Sequence, residues 1–178
     1  MNASSRMKDI SVIIVCHRGW NRLLKCLESL SIFGSSRFSM EVLVVDNNSS
    51  DGMISGIEKD FPGIRFIKNS VNGGFANGCN LGASVAEGEF LLFLNPDTVI
   101  LEKEVGKLLS AAQQNPDATL LSCRQVSEKG KEGRPYGQFP SIRNMTGIQR
   151  SFSGNSRKDI PGDAQGSILY PDWVSGSV

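Results

Sequence analysis

The run Glu41-Val-Leu-Val-Val-Asp46 constrains this chain more than any other stretch. It is apolar, rich in β-branched residues, and stopped by the polar cluster Asp46-Asn-Asn-Ser-Ser-Asp-Gly52. Such a segment reads as a strand, and its lack of polar alternation suits a parallel sheet covered on both faces. In an open α/β sheet, ligands bind beyond the carboxyl ends of the strands, so Asp46, the first polar residue there, would look into a cleft. Turn chemistry alone explains Asn48, Ser49 and Ser50, because Asn and Ser side chains satisfy nearby backbone groups. Asp46 needs more than that, since polar tips end two other strands of the same kind.

The first of these is Asp9-Ile-Ser-Val-Ile-Ile-Val-Cys16, followed by His17, Arg18 and Gly19. Trp20, Leu23, Leu24, Leu27 and Leu30 then recur at the i, i+3, i+4, i+7 spacing of a helix packed on a sheet. His17 is the only histidine. A lone histidine is more often structural, but at a strand tip it becomes a candidate ligand contact. Past the Asp46 cluster, Met53, Ile54 and Ile57 predict a short helix closed by Phe61-Pro-Gly63, and Ile64-Arg-Phe-Ile67 a third strand.

Asn69-Ser-Val-Asn-Gly-Gly-Phe-Ala-Asn-Gly-Cys-Asn-Leu-Gly82 is rich in glycine and asparagine, yet opens a predicted helix with Phe75, Cys79, Ala83 and Ala86 on one face. Glycine costs about 1 kcal/mol in a helix interior. Gly78 and Gly82 therefore imply close approach of a backbone or a ligand, with tight packing alone as the plainer alternative. Asn72, Asn77 and Asn80 supply groups able to bond a sugar or a base. Glu89-Phe-Leu-Leu-Phe-Leu94 is a fourth strand running into Asn95-Pro-Asp-Thr98. A helical stripe follows at Leu101, Val105, Leu108, Leu109 and Ala112, and Ala118–Cys123 reads as a fifth strand. Strands alternating with helices at this spacing predict βαβ units and a mostly parallel, doubly wound α/β sheet.

Residues 1–123 carry this pattern. Residues 124–178 are polar and loop-rich, with one short strand expected around Gly137 to Phe139 and a strand-like segment from Asp172 to Val178. The 178 residues carry a net charge of +1, with the basic residues scattered. Nucleic-acid binding, which leans on concentrated positive charge, is not expected. Cys16, Cys26, Cys79 and Cys123 lie far apart without a C-x-x-C pair, so they read as reduced core residues of a cytosolic protein. Met1–Asp9 lacks the apolar core of a secretory signal, and no apolar run is long enough to span a bilayer. The expected place is the cytoplasm, with peripheral work at the inner face of the membrane left open.

Three strand tips carry polar groups: His17, Asp46 with Asn47, and Asn95 with Asp97. A carboxylate at a strand end suits a hard divalent cation, which takes oxygen ligands. Asp97 could join Mg2+ or Mn2+ to the phosphates of a nucleotide, although Asn-Pro-Asp is also a common turn. Asp46, an acceptor-only group, could take a donor from a base or a ribose hydroxyl.

The ordered blocks Ile10–Val15, Val44–Gly52, Asn72–Gly82 and Phe93–Thr98 resemble a family 2 glycosyltransferase, closest to its rhamnosyltransferase-like branch. Phe139-Pro-Ser141 and Trp173-Val-Ser-Gly176 extend the resemblance over nearly the whole chain. It implies a GT-A fold, a nucleotide-sugar donor and inversion at the transferred carbon. By it, Val15 and His17 would line the nucleotide site, and Asp46 and Asn47 would hold base and ribose. Asn72, Phe75, Asn77 and Asn80 would approach the donor. Asn95-Pro-Asp97 stands where the family has D-x-D, with Asn95 in place of the first acid and Asp97 as the metal ligand. Many members also carry a second Asp where Asn47 stands.

The reaction implied is a direct displacement, in which a carboxylate opposite the leaving diphosphate deprotonates the acceptor hydroxyl. The acceptor would be a saccharide or a lipid-linked saccharide in cell-surface polysaccharide synthesis, with rhamnose on a dTDP carrier the implied donor. In the family the base follows the Trp-x-x-Gly segment. It is expected beyond Val178, so the chain is expected to be truncated and to bind nucleotide better than it transfers sugar. Asp163 and Asp172 are the nearby carboxylates that could stand in. A non-catalytic nucleotide-binding module is the alternative. A Rossmann oxidoreductase and a P-loop enzyme lack their glycine signatures here, and a nucleotidyltransferase lacks a glycine-rich basic turn after the first strand.

Overall fold

Lys8–Cys16 forms the strand β1, and Val12, Ile13, Ile14 and Cys16 are wholly buried in it. The structure is a computed structural model that describes residues 8–34, 37–123 and 126. The chain divides into two compact units, Met1–Pro116 and Asp117–Val178. In the first unit β1 is followed by α1 (Trp20–Ser31), β2 (Met40–Asp46), α2 (Ile54–Asp60), β3 (Arg65–Lys68), α3 (Gly74–Ser84), β4 (Gly88–Leu94) and α4 (Glu102–Gln114). The strands make one sheet in the order β3-β2-β1-β4, and each pairing is parallel. The expected α/β sheet is therefore present.

Helices cover both faces because β1 sends alternate residues to opposite sides. Val12, Ile14 and Cys16 share one cluster with Val42, Val44 and the α1 residues Leu23, Cys26, Leu27 and Leu30. Burying each such aliphatic side chain contributes about 1.5–3 kcal/mol. Ile57 of α2 and Leu94 of β4 close the same cluster. On the other face Val15, Val45 and Cys79 form a second cluster beneath α3.

The face α3 turns to the sheet differs from the expected one. Gly78, Cys79 and Gly82 are buried, Phe75 is half exposed, and Ala86 lies beyond the helix end. A Cβ on Gly78 would stand 2.5 Å from Val15 Cγ1, and one on Gly82 the same distance from Ile13 Cγ2. The helix backbone thus rests on the Val15 and Ile13 side chains of β1. A reading based on large apolar side chains misses this face, because the packed surface is marked by their absence. Backbone-to-strand packing, rather than a ligand, accounts for both glycines.

Other differences lie at the end of the described chain. Ala118–Cys123 is irregular, with Leu120 59% exposed, and not the expected fifth strand. An apolar run becomes a strand only where a ladder takes up its N–H and C=O groups. Cys123 is exposed, whereas Cys16, Cys26 and Cys79 are buried as expected. Leu108 is only partly buried, and Val105 and Leu109 carry the buried face of α4. The strands expected at 137–139 and 172–178, and Asp163, lie outside the described residues.

Replacing Gly82 with Ala should lower stability by about 1–3 kcal/mol, the usual cost of overfilling a packed core. Gly56→Ala in α2, where a Cβ would meet nothing within 4 Å, should raise it by about 0.5–1 kcal/mol. Urea unfolding of the two variants checks this. Shifts of the same sign would refute the close-packing account.

Candidate functional site

The strand order sets where a cleft can form. Successive connections run from β1 outward to β2 and β3, then return across β1 to β4, so the order reverses between β1 and β4. Ligands of open α/β sheets bind at that switch point, outside the carboxyl ends of the strands. There β1 stays paired with β2 as far as Cys16↔Asp46 but leaves β4 at Ile14↔Leu94, so the two tips diverge.

Asp46 ends β2 and is buried, with only 7% of its surface exposed. Its Oδ1 accepts the Ser49 N–H at 3.0 Å, and its carbonyl accepts the N–H groups of Asn48 and Asn69. No other bond reaches its carboxylate among the described residues. Ser49, itself buried, accepts the Arg18 N–H at its Oγ. Arg18, Asn48 and Ser50 all have positive φ. The cluster after β2 therefore does turn work, as its composition suggests, and ties the β1 and β2 tips together.

Asn47 is the most connected of the expected residues. Its N–H donates to the Cys16 carbonyl at 2.7 Å, and its own carbonyl lies 3.0 Å from His17 Nδ1. A carbonyl only accepts, so His17 must carry its proton on Nδ1, leaving Nε2 of this exposed ring open to solvent. The Asn47 Nδ2 donates to Asn72 Oδ1 at 2.8 Å and to the Gly74 carbonyl at 3.1 Å. Its Oδ1 accepts from Asn69 Nδ2 at 2.9 Å, and Asn69 also donates to Asn77 Oδ1 at 2.7 Å. The Gly74 N–H donates to Asn72 Oδ1 at 3.1 Å, and Gly74 adopts a φ of 82°.

Four asparagines thus form one network spanning the tips of β2 and β3 and the start of α3. Asn69 was not among the expected site residues. Its place directly after a strand end, eight positions before Asn77, was the signal available. Gly73 belongs here too, because a Cβ on it would stand 2.5 Å from Asn77 Cγ.

The remaining expected residues are less closely tied. Val15 is buried under α3 against Gly78, so its side chain faces the core. Phe75 stands half exposed on the first turn of α3, and Asn80 is exposed farther along it, outside the network. Beyond β4, the Asn95 carbonyl accepts the Thr98 N–H at 3.1 Å, closing a turn that leaves Asp97 exposed. Cys26 lies near enough to Asp97 to feel its charge, which adds to burial in pushing that thiol up to about 12. Burial, with the charges of Asp46 and Asp51, does the same to Cys16. Neither thiol is a nucleophile at neutral pH.

No group of three or more His, Cys, Asp or Glu side chains able to hold a metal occurs among the described residues. A cation held by the protein alone does not fit. A magnesium-like ion held by one carboxylate, waters and the phosphates of a ligand would fit, and Asp97 is exposed for that part, with no bond to its carboxylate among the described residues.

Residues 11–170 match the model of glycosyl transferase family 2. The chain belongs to glycosyltransferase family 2. Its resemblance to that family, read first from four sequence blocks, is thereby shown. An uncharacterized glycosyltransferase of Haemophilus influenzae is 31% identical over 152 residues, 85% of this chain and 51% of the relative. Solved structures with the same fold include S. aureus TarS 1-349 in complex with UDP-GlcNAc, at 24% identity and a TM-score of 0.56, over 75% of this chain and 38% of that one. Mannosyltransferase PcManGT from Pyrobaculum calidifontis, in complex with GDP-Man and Mn2+, is 20% identical with a TM-score of 0.54, over 70% and 37%. The fold is accordingly the GT-A fold, and the chain spans about half the length of its curated relative. Among the described residues no helix of this family 2 chain is long and apolar enough to cross a membrane.

One contact braces the β1–α1 turn from outside: Trp20 Nε1 donates to Asp51 Oδ2 at 2.7 Å. That bond, aided by the Met53 N–H and the nearby Arg18 charge, lowers the Asp51 pKa below its ordinary 3.8. A depressed carboxylate stabilises the fold above its unfolded pKa, and the contribution is lost as pH falls through the folded value. In Trp20→Phe, Asp51 should titrate at a higher pH than in the parent, as followed by NMR of its carboxyl carbon. An unchanged titration would rule out the indole bond as the main cause.

Proposed function

We propose that this chain forms the donor-binding half of an inverting glycosyltransferase, using a nucleotide-diphospho-sugar with Mg2+ or Mn2+ in cell-surface polysaccharide synthesis. The observation that carries this reading is the gathering of a buried carboxylate at the β2 tip, an exposed carboxylate at the β4 tip and an asparagine network at one end of a parallel sheet. That UDP-GlcNAc and GDP-Man are bound by proteins of the same fold supports a nucleotide-sugar over other ligands.

On this reading Asp46 accepts from the base or ribose through its unengaged oxygen, and His17 offers Nε2 beside it. Val15 shapes the site through its backbone, since its side chain is committed to α3. Asn72, Phe75, Asn77 and Asn80 lie on the donor's sugar and phosphate side, and Asn95 shapes the turn that presents Asp97. Asp97 would hold the divalent ion. When bound, the ion supplies Lewis-acid neutralisation of the departing diphosphate. The acceptor would be a saccharide or a lipid-linked saccharide, and no base for its hydroxyl is assigned among the described residues. The finer donor assignment is dTDP-rhamnose, with work at the inner membrane face from the periphery.

A non-catalytic nucleotide-binding module would use the same residues and differs only in lacking transfer. Calorimetry with dTDP and UDP, with and without manganese, tests the site. The parent should bind one of them more tightly with manganese, and Asp97→Ala should lose that gain, weakening binding by about tenfold, the scale of one charge-assisted contact. Equal binding by both proteins, indifferent to manganese, would remove the proposal.

A further inference from the structure

The asparagine network has a direction, and two backbone groups fix it. The Gly74 carbonyl can only accept, so the Asn47 atom 3.1 Å from it is the NH2 nitrogen. The Gly74 N–H can only donate, so the Asn72 atom 3.1 Å from it is the carbonyl oxygen. Asn47 must then turn its oxygen to Asn69, which meets it with an NH2 and spends the other hydrogen on Asn77 Oδ1. Any single amide flip would set oxygen against oxygen or N–H against N–H.

The outer ends of the chain of bonds follow from this. Asn72 and Asn77 have their oxygens tied inward, and both are exposed with NH2 groups unengaged among the described residues. Asn47 is 3% exposed, and both hydrogens and its oxygen are used within the protein. Its side chain is therefore not available to touch a base.

We infer that Asn47 is a positioning residue that sets the polarity of the β3–α3 loop, so that Asn72 and Asn77 present NH2 donors to the phosphate or hydroxyl oxygens of the donor. This rests on the donor-site reading for the identity of the ligand, but not for the polarity itself. A carboxylate at position 47 would face the Asn72 oxygen and the Gly74 carbonyl, and so should impair the site.

The test is Asn47→Asp in the full chain, read in two ways. Without ligand, hydrogen exchange at the Gly74 amide should quicken by about tenfold at pH 8, since its acceptor Asn72 loses its anchor. With UDP or dTDP and manganese, affinity relative to the parent should fall by about tenfold at pH 8 and recover toward pH 5. Burial and the two facing oxygens raise the introduced acid's pKa above the ordinary carboxyl range, and protonation gives it an O–H that can again donate. Ionisable groups around the position are Asp46 beside it, His17 and Arg18 past β1, Asp51 in the following turn, Lys68 at the β3 tip and buried Cys79 on α3. Taking the ratio to the parent at each pH removes their titration and that of the diphosphate.

Parent-like exchange and affinity at pH 8 would overturn the inference, as would a loss that is the same at every pH. If Asn47→Asp does not fold, Asn69→Asp, at a half-buried position, sets a carboxylate against the Asn47 and Asn77 oxygens of the same network and should show the same acid recovery. Should the parent bind neither nucleotide while Gly74 exchange still responds as described, the donor-site reading falls and the polarity stands.

Discussion

Helix α3 sets its backbone, with no side chain of its own, on the Val15 side chain at Gly78 and on the Ile13 side chain at Gly82. The rest of the site depends on that contact. An ordinary helix on a sheet stands off by the thickness of its side chains. Here two glycines remove that layer, and the start of α3 comes down to the level of the strand tips. Gly74 can then receive the Asn47 amide, and Asn77 can close over Gly73. The stability given up by glycine in a helix interior, about 1 kcal/mol at each position, is offset by a placement that no larger residue permits.

The same contact explains why Asn47, rather than Asp46, joins the elements. Asp46 ends β2 in the ladder, so its backbone is committed to Cys16, Lys68 and Asn69. Among the described residues its carboxylate has only the Ser49 N–H to steady it. One residue on, Asn47 has left the ladder and can reach β1 with its backbone and α3 with its side chain. A carboxamide suits the position because it donates and accepts at once. A buried polar group with every atom engaged specifies a single arrangement of its surroundings.

The legibility of this molecule in its sequence follows the same physics. β1 and β2 are plain because burial on both faces leaves the apolar runs Val12–Cys16 and Val42–Val45, and the α1 stripe because five large residues repeat at helical spacing. Asp46 and Asp97 could be nominated from their places after apolar runs. The buried face of α3 could not be read from a hydrophobic pattern, since Gly78 and Gly82 carry no side chain to count. Asn69 does not stand out in the sequence, because partnership between asparagines is set by three-dimensional register, which spacing does not encode. Ala118–Cys123 misled for the opposite reason: it has the composition of a strand without a ladder to join.

The site, on the reading proposed, divides its work between two kinds of group. The β3–α3 loop offers neutral N–H donors, while the β4 tip offers an exposed carboxylate. A diphosphate carries only acceptors, so the first side can meet it directly and the second would repel it. A divalent ion is what makes the two sides compatible, since Asp97 and the phosphate oxygens can share it. With no third carboxylate, histidine or thiol nearby among the described residues to form a cage, the ion and the diphosphate should bind as linked partners. The asparagine side alone would then grip the diphosphate without help from charge, and its hold would rest on the geometry that Asn47 imposes.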